Sequence, residues 1–162
     1  MAKKRMDWDE AASTAENSRS RLPTVAQAYF DQGRKLLDPS SSPAAMHKFR
    51  LETKAFRYTL ELFRPCFGPA LDRYVGGLRE IQDCRGALSD CSATRELIAE
   101  KLPKHDPAGE MIDGFLAERG RRESAKFRRY WGTTFDSPGQ EQRWLRYLSR
   151  RSGTALPSDS AG

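Results

Sequence analysis

The sequence predicts an all-α fold: an antiparallel four-helix bundle with an additional short C-terminal helix. Three observations lead there. Apolar residues recur at intervals of three and four over long stretches. Proline and glycine clusters punctuate those stretches and leave room for several helices. No segment alternates apolar and polar residues between hairpin signals. Long helices with short connections pack most simply side by side.

Taken in order, residues 1–21 carry Ser, Asn, Glu and Ala without apolar rhythm and read as a flexible tail. From Leu22 the pattern changes. Val25, Tyr29 and Leu36, with Ala28 between, form the stripe of a first helix that runs into Asp38-Pro39-Ser40-Ser41-Ser42-Pro43. Ser42 is a natural N-cap and Pro43 a natural first residue for a second helix, which Pro65 and Gly68-Pro69 interrupt after about Arg64. Pro69 opens a third helix in which Leu71, Tyr74, Val75, Leu78, Ile81, Leu88, Leu97 and Ile98 recur. Gly76, Gly77 and Gly86 weaken it by around 1 kcal/mol each unless close packing compensates. A loop with Asp106 as N-cap and Pro107 in the first turn leads to a fourth helix over 107–134. A short amphipathic helix over 141–151 follows, and 152–162 reads as a second flexible tail. The bundle is thus expected over 22–135, with a linker and the short helix over 136–151.

Composition bounds the function. The chain has 162 residues, 38% of them hydrophobic and 31% charged, enough for one packed domain. No run approaches the roughly 18–20 apolar residues that a membrane span requires. MAKKRMDWDE starts basic but turns acidic where a signal peptide needs its apolar stretch, so a cytoplasmic protein is expected. Cys66, Cys84 and Cys91 do not form a paired C-x-x-C set, and on one helix Cys84 and Cys91 lie about 10 Å apart. Reduced, structural thiols follow. With only His47 and His105 besides, neither a metal nor a cofactor is expected.

The charge is uneven. Lys and Arg number 28 against 22 Asp and Glu, a formal charge of +6. Residues 119–151 hold ten basic against three acidic side chains, a local balance of +7, while the remainder sums to −1. Such asymmetry attracts polyanions. On the second helix His47, Arg50, Lys54 and Arg57 fall within an arc of about 80°, apart from the arc of Phe49, Phe56, Leu60, Phe63 and Phe67. On the fourth, Arg119, Arg122, Lys126 and Arg129 repeat the same offsets, while Leu116, Gly120, Phe127 and Trp131 mark the other side. Like charges at these spacings repel by a few tenths of a kcal/mol each, a cost that an anion between them relieves. The planar fork of arginine suits phosphate oxygens, so a phosphate polymer outranks an acidic protein as the partner.

The segment M46-H-K-F-R-L-E-T-K-A-F-R-Y-T-L-E-L-F63 resembles the signature helix of CHAD domains, the conserved histidine α-helical domain family. L78-R-E-I-Q-D-C-R-G-A-L-S-D90 is similar to the family's next helix, and K126-F-R-R-Y-W131 to a later basic and aromatic one. The resemblance implies an all-helical fold, binding of inorganic polyphosphate, and association with polyphosphate granules. By motif position it carries over His47, Arg50, Lys54 and Arg57 as ligands, with Arg79 added from the third helix. Lys54 stands where arginine is frequent, and Ser89 where a larger polar or basic residue is common. A typical family member has two four-helix halves facing across a basic channel, and 22–135 corresponds to one half. Either the single bundle uses an open basic face, or two chains assemble as a homodimer that rebuilds the channel, and the homodimer is the expectation.

Catalysis has little support in the residues. There is no Gly-x-x-x-x-Gly-Lys-Ser/Thr loop, no Glu-x-Glu-x-Lys motif, and the acids are dispersed rather than clustered around a metal. The expectation is therefore not an enzyme but a binding module in which both basic quartets hold successive phosphates in one groove. His47 adds charge beside phosphate, or as a neutral ring donates to phosphate or to Glu61 on the same face. Nucleic acid is the rival polyanion, with Tyr130, Trp131, Trp144 and Tyr147 available to stack on bases, and a general polyanion surface is the third reading.

Overall fold

The computed structural model describes residues 8–150. Among them are six α-helices and no strand: α1 Thr14–Lys35, α2 Pro43–Leu62, α3 Arg64–Phe67, α4 Leu71–Lys101, α5 Pro107–Tyr130 and α6 Gln140–Ser149. A π-helical turn, Trp131–Phe135, continues α5. The all-helical expectation holds, with six helices in place of four and one.

The expected tail over 1–21 is helical from Thr14 onward. Ser13 and Glu16 form a capping box: the Ser13 hydroxyl accepts from the Glu16 amide at 3.2 Å, and the Glu16 carboxylate accepts from the Ser13 amide at 2.8 Å. The first buried residues of this helix are polar, which hides it from an apolar periodicity. Asn17 accepts from the Asp9 amide and donates to the Asp9 and Ala12 carbonyls, and buried Ser18 donates to Ala15. Residues 1–7 of that expected tail, and the whole of the tail expected over 152–162, lie outside the described residues.

Later boundaries follow local chemistry. Ser42 caps α2 as predicted, its hydroxyl accepting from the Ala45 amide at 3.1 Å. Pro65 does not simply interrupt the chain; it sits in the first turn of the short α3, which Gly68 ends at φ +75°. Asp106 caps α5 through the Gly109 amide at 2.8 Å. The helix expected over 107–134 widens at its end, where the Asp136 amide donates to the Trp131 carbonyl five residues back, at 2.7 Å. The last helix is Gln140–Ser149 rather than 141–151, entered through Gly139 at φ +84°.

α4, about 46 Å long from its 31 residues, packs against α2 on one side and α5 on the other. Both pairs are antiparallel. Arg57 reaches Gln82 while Arg79 reaches Glu61, and Arg95 pairs with Asp113 at one end of α4 while Tyr130 meets Gly77 toward the other. The compensating contacts expected at three glycines of α4 occur at one: a methyl on Gly77 would lie 3.5 Å from Phe135, whereas Gly76 and Gly86 face open space. α1 packs mainly against α6, so the C-terminal helix belongs to the scaffold. Trp144 and Leu148 of α6 are buried.

The core is aromatic. Trp131 is fully buried among Tyr29, Phe30, Phe49, Phe127 and Phe135. Its indole Nε1 donates to Asp136 at 3.2 Å, and Asp136 also accepts two bonds from Arg34, at 2.7 and 2.8 Å. Glu141 accepts a third from Arg34, so one guanidinium ties α1 to the π turn and α6. Those hydrogen bonds, to Asp136 first and then Glu141, hold the Arg34 guanidinium above its ordinary range. Gly33 of α1 lies flat against the Trp131 ring, where an added methyl would overlap the indole. Gly33→Ala should therefore lower stability by about 1–3 kcal/mol, read as an earlier urea midpoint at unchanged slope.

Candidate anion-binding site

The α2 stripe lies along the junction with α4. The pairs Arg57–Gln82 and Glu61–Arg79 fix an antiparallel register, and the same register carries Arg50 level with Ser89, His47 level with Ser92, and Lys54 close to the level of Arg85. Between the helices opens a recess of about 540 Å³ that includes His47, Arg50 and Arg85, with Glu96 at its outer end. His47 is exposed at the mouth, Arg50 is half-buried, and the Arg50 Nε is buried without a hydrogen-bond partner among the described residues.

Further along, Arg57 donates from Nε to Gln82 at 3.0 Å and from Nη1 to Glu61 at 2.8 Å, and its guanidinium lies 4.4 Å from the centre of the Tyr58 ring. Arg79 donates to the same Glu61 oxygen at 3.1 Å. Glu61 thus holds two cations in place at this end. It does not serve His47, because fourteen residues along a helix is about 21 Å. Lys54 lies half-buried between Arg50 and Arg57.

The α5 quartet does not join this recess. Arg119, Arg122, Lys126 and Arg129 are all exposed, and none of them lines it. Lys126 stands near Cys84, together with Glu123, Glu80 and Asp83, on the flank of α4 one residue step around from Arg85. The other three share its side of α5 by helical spacing. The single groove expected from both quartets is therefore two separate basic faces. The matching offsets along the chain say nothing about which side of α4 each helix presents.

Arg85 was not among the expected residues. It is 2% exposed, with Nε and Nη1 buried and unpartnered among the described residues, and its guanidinium carbon lies 5.1 Å from the centre of the Phe127 ring. A signal existed. Arg85 stands seven residues after Leu78 and four after Ile81, in register with the buried face of α4, so a cation occupies a core position. Burial draws its guanidinium down to about 10, which leaves it charged near neutral pH.

Among the described residues no helix is long and apolar enough to cross a membrane, and no His, Cys, Asp and Glu cluster that would hold a metal is present. Cys84 and Cys91 are buried and unpaired, and burial pushes the Cys84 thiol up, in keeping with a structural role. Trp131 and Trp144 are enclosed in the core, while Tyr130 and Tyr147 direct their hydroxyls to the Gly77 and Phe67 carbonyls.

No curated protein and no solved structure matches the chain. The family model for the CHAD domain matches residues 2–99, more than half of the 162. The match begins earlier than the similarity expected over 22–135 and stops before α5. It takes in the whole α2 stripe, Arg79 and Arg85, and leaves the α5 quartet outside. By this match and by its helices, the chain belongs to the CHAD domain family.

Proposed function

We propose that the chain is a non-catalytic module that binds inorganic polyphosphate along the α2/α4 junction. One observation carries the reading: His47, Arg50, Lys54, Arg57 and Arg79 form a basic lane along one helix pair, with unused guanidinium donors on Arg50 and on the neighbouring Arg85. A polymer of regularly spaced anions matches such a lane and releases condensed counterions on binding. Family membership supports the same ligand. Residence on polyphosphate granules belongs to this reading, and the basic face of α5 supplies a field that draws the polymer in.

Nucleic acid fits less well, because the aromatic rings that would stack on bases are mostly committed to the core or to backbone carbonyls. Calorimetric titration with long-chain polyphosphate, beside single-stranded DNA at equal phosphate concentration, separates the two at physiological and at higher salt. Tight, salt-sensitive polyphosphate binding with weak DNA binding is expected. Equal binding would make the surface a general polyanion face, and no binding of either would end the proposal. Light scattering on the same samples checks the homodimer: a monomer mass with and without polyphosphate rules it out.

A further inference from the structure

The recess between α2 and α4 reaches a cation that no described residue neutralises. A buried charge without a counter-charge destabilises a fold, because desolvation is not repaid by pairing. Tyr29, which lies near Arg85, does not supply that charge. Its hydroxyl is bonded to Thr53 at 2.9 Å, and burial pushes the phenol well above its ordinary range, so it stays neutral. Across the same recess the Arg50 Nε is also unpartnered. Two guanidiniums with idle donors, one on each wall, make an anion site. The titratable and charged groups facing it are His47 and Arg50 from α2 and Arg85 and Glu96 from α4, with the Phe127 ring of α5 packed against the Arg85 guanidinium.

The lane ends within this recess: Arg85 is level with Lys54, and only Arg50 and His47 lie beyond it. From the Arg79 end, cations continue through Arg57, Lys54 and Arg50, with His47 next in line. Beyond His47 the walls carry Ala44 and Ala93, and then Glu96, whose carboxylate opposes a further phosphate. We propose, on the strength of the polyphosphate reading, that this recess receives a terminal phosphate group, with Arg85 as the residue that tells a chain end from an interior phosphate. A terminal group has three unbridged oxygens and a second ionisation near pH 6, so it brings close to two charges to the desolvated guanidinium. An interior phosphate brings one charge and must leave the site on both sides, which a side chain only 2% exposed does not permit. Orthophosphate and pyrophosphate offer the same chemistry as a chain end.

The test uses the full chain and short polyphosphate of defined length, with both ends free or both blocked as phosphoramidates. Wild type should bind the free-ended chain roughly tenfold more tightly, the value of one charge-assisted contact. Arg85→Met should bind both forms alike, at the affinity wild type has for the blocked chain, and Arg85→Lys should keep part of the preference. Without ligand, Arg85→Met should melt at a higher temperature than wild type, and the free-ended chain should raise the wild-type midpoint more than that of the variant. Displacement of the free-ended chain by orthophosphate or pyrophosphate would show that small phosphates share the site; failure to displace would assign it to chain ends alone. Equal wild-type affinity for free and blocked chains overturns the inference while leaving polyphosphate binding intact. So does an end preference that survives in Arg85→Met, or a lower midpoint for that variant. Absence of binding to either chain would remove the inference and the functional reading together.

Discussion

Trp131→Ala should cost about 3–5 kcal/mol, the largest loss expected from truncating any one side chain. The indole is fully buried and touches rings from α1, α2 and α5 and from its own turn. Removing it opens a cavity where those elements meet. It also removes the donor to Asp136, the carboxylate that holds Arg34. A domain of this size is stable by only about 5–15 kcal/mol, so the loss takes a large fraction of the total. Urea unfolding followed by far-ultraviolet circular dichroism measures it, with Trp131→Phe as the conservative partner, expected to fall between. A Trp131→Ala variant within about 1 kcal/mol of wild type would mean that the core closes without the indole.

Much of this centre was legible in the sequence, and what was hidden has identifiable causes. α2 could be read nearly in full, because Ser42-Pro43 marks its start and Phe49, Phe56 and Leu60 keep one face. Spacing puts Phe127 and Trp131 on the core side of the fourth helix, and both are buried, Phe127 in α5 and Trp131 in the π turn that continues it. The start of α1 was hidden because Asn17 and Ser18 are buried through hydrogen bonds, which hydrophobic periodicity does not register. The π turn was hidden because widening a helix by one residue over a single turn barely alters the spacing of Trp131 and Phe135. At the site, the α2 stripe was legible from spacing, whereas the partners of Glu61 were not: Glu61 pairs with Arg57 and Arg79 rather than serving His47. The separation of the two basic faces was not, since it depends on which sides of α4 the neighbouring helices cover. Arg85 broke the rule that core positions are apolar, and such exceptions concentrate where a ligand completes the structure.

Arg50→Ala should weaken polyphosphate binding by about tenfold or more, since a hydrogen bond to a charged group contributes about 1.5–3 kcal/mol. Arg50 carries more weight than Arg57 for a structural reason. The Arg50 Nε is buried with no partner among the described residues, so a phosphate gains the whole interaction. Arg57 already donates to Glu61 and Gln82, and a phosphate must compete with both. Arg57→Ala alone should therefore lose less than Arg50→Ala, and the two together should lose most while the fold persists. The same logic predicts a gain. Glu61 accepts from Arg57 and Arg79, so Glu61→Gln removes the competing anion, frees two guanidiniums, and should tighten binding severalfold. Each phosphate contact removed should also lower the slope of log affinity against log salt by about one. Lys126→Ala with Arg129→Ala, on the separate α5 face, should slow association more than it weakens the complex. Calorimetry and stopped-flow binding at several salt concentrations read all of these. A folded Arg50→Ala/Arg57→Ala variant that keeps wild-type affinity would move the site away from α2, and the basic face of α5 would be the next place to look.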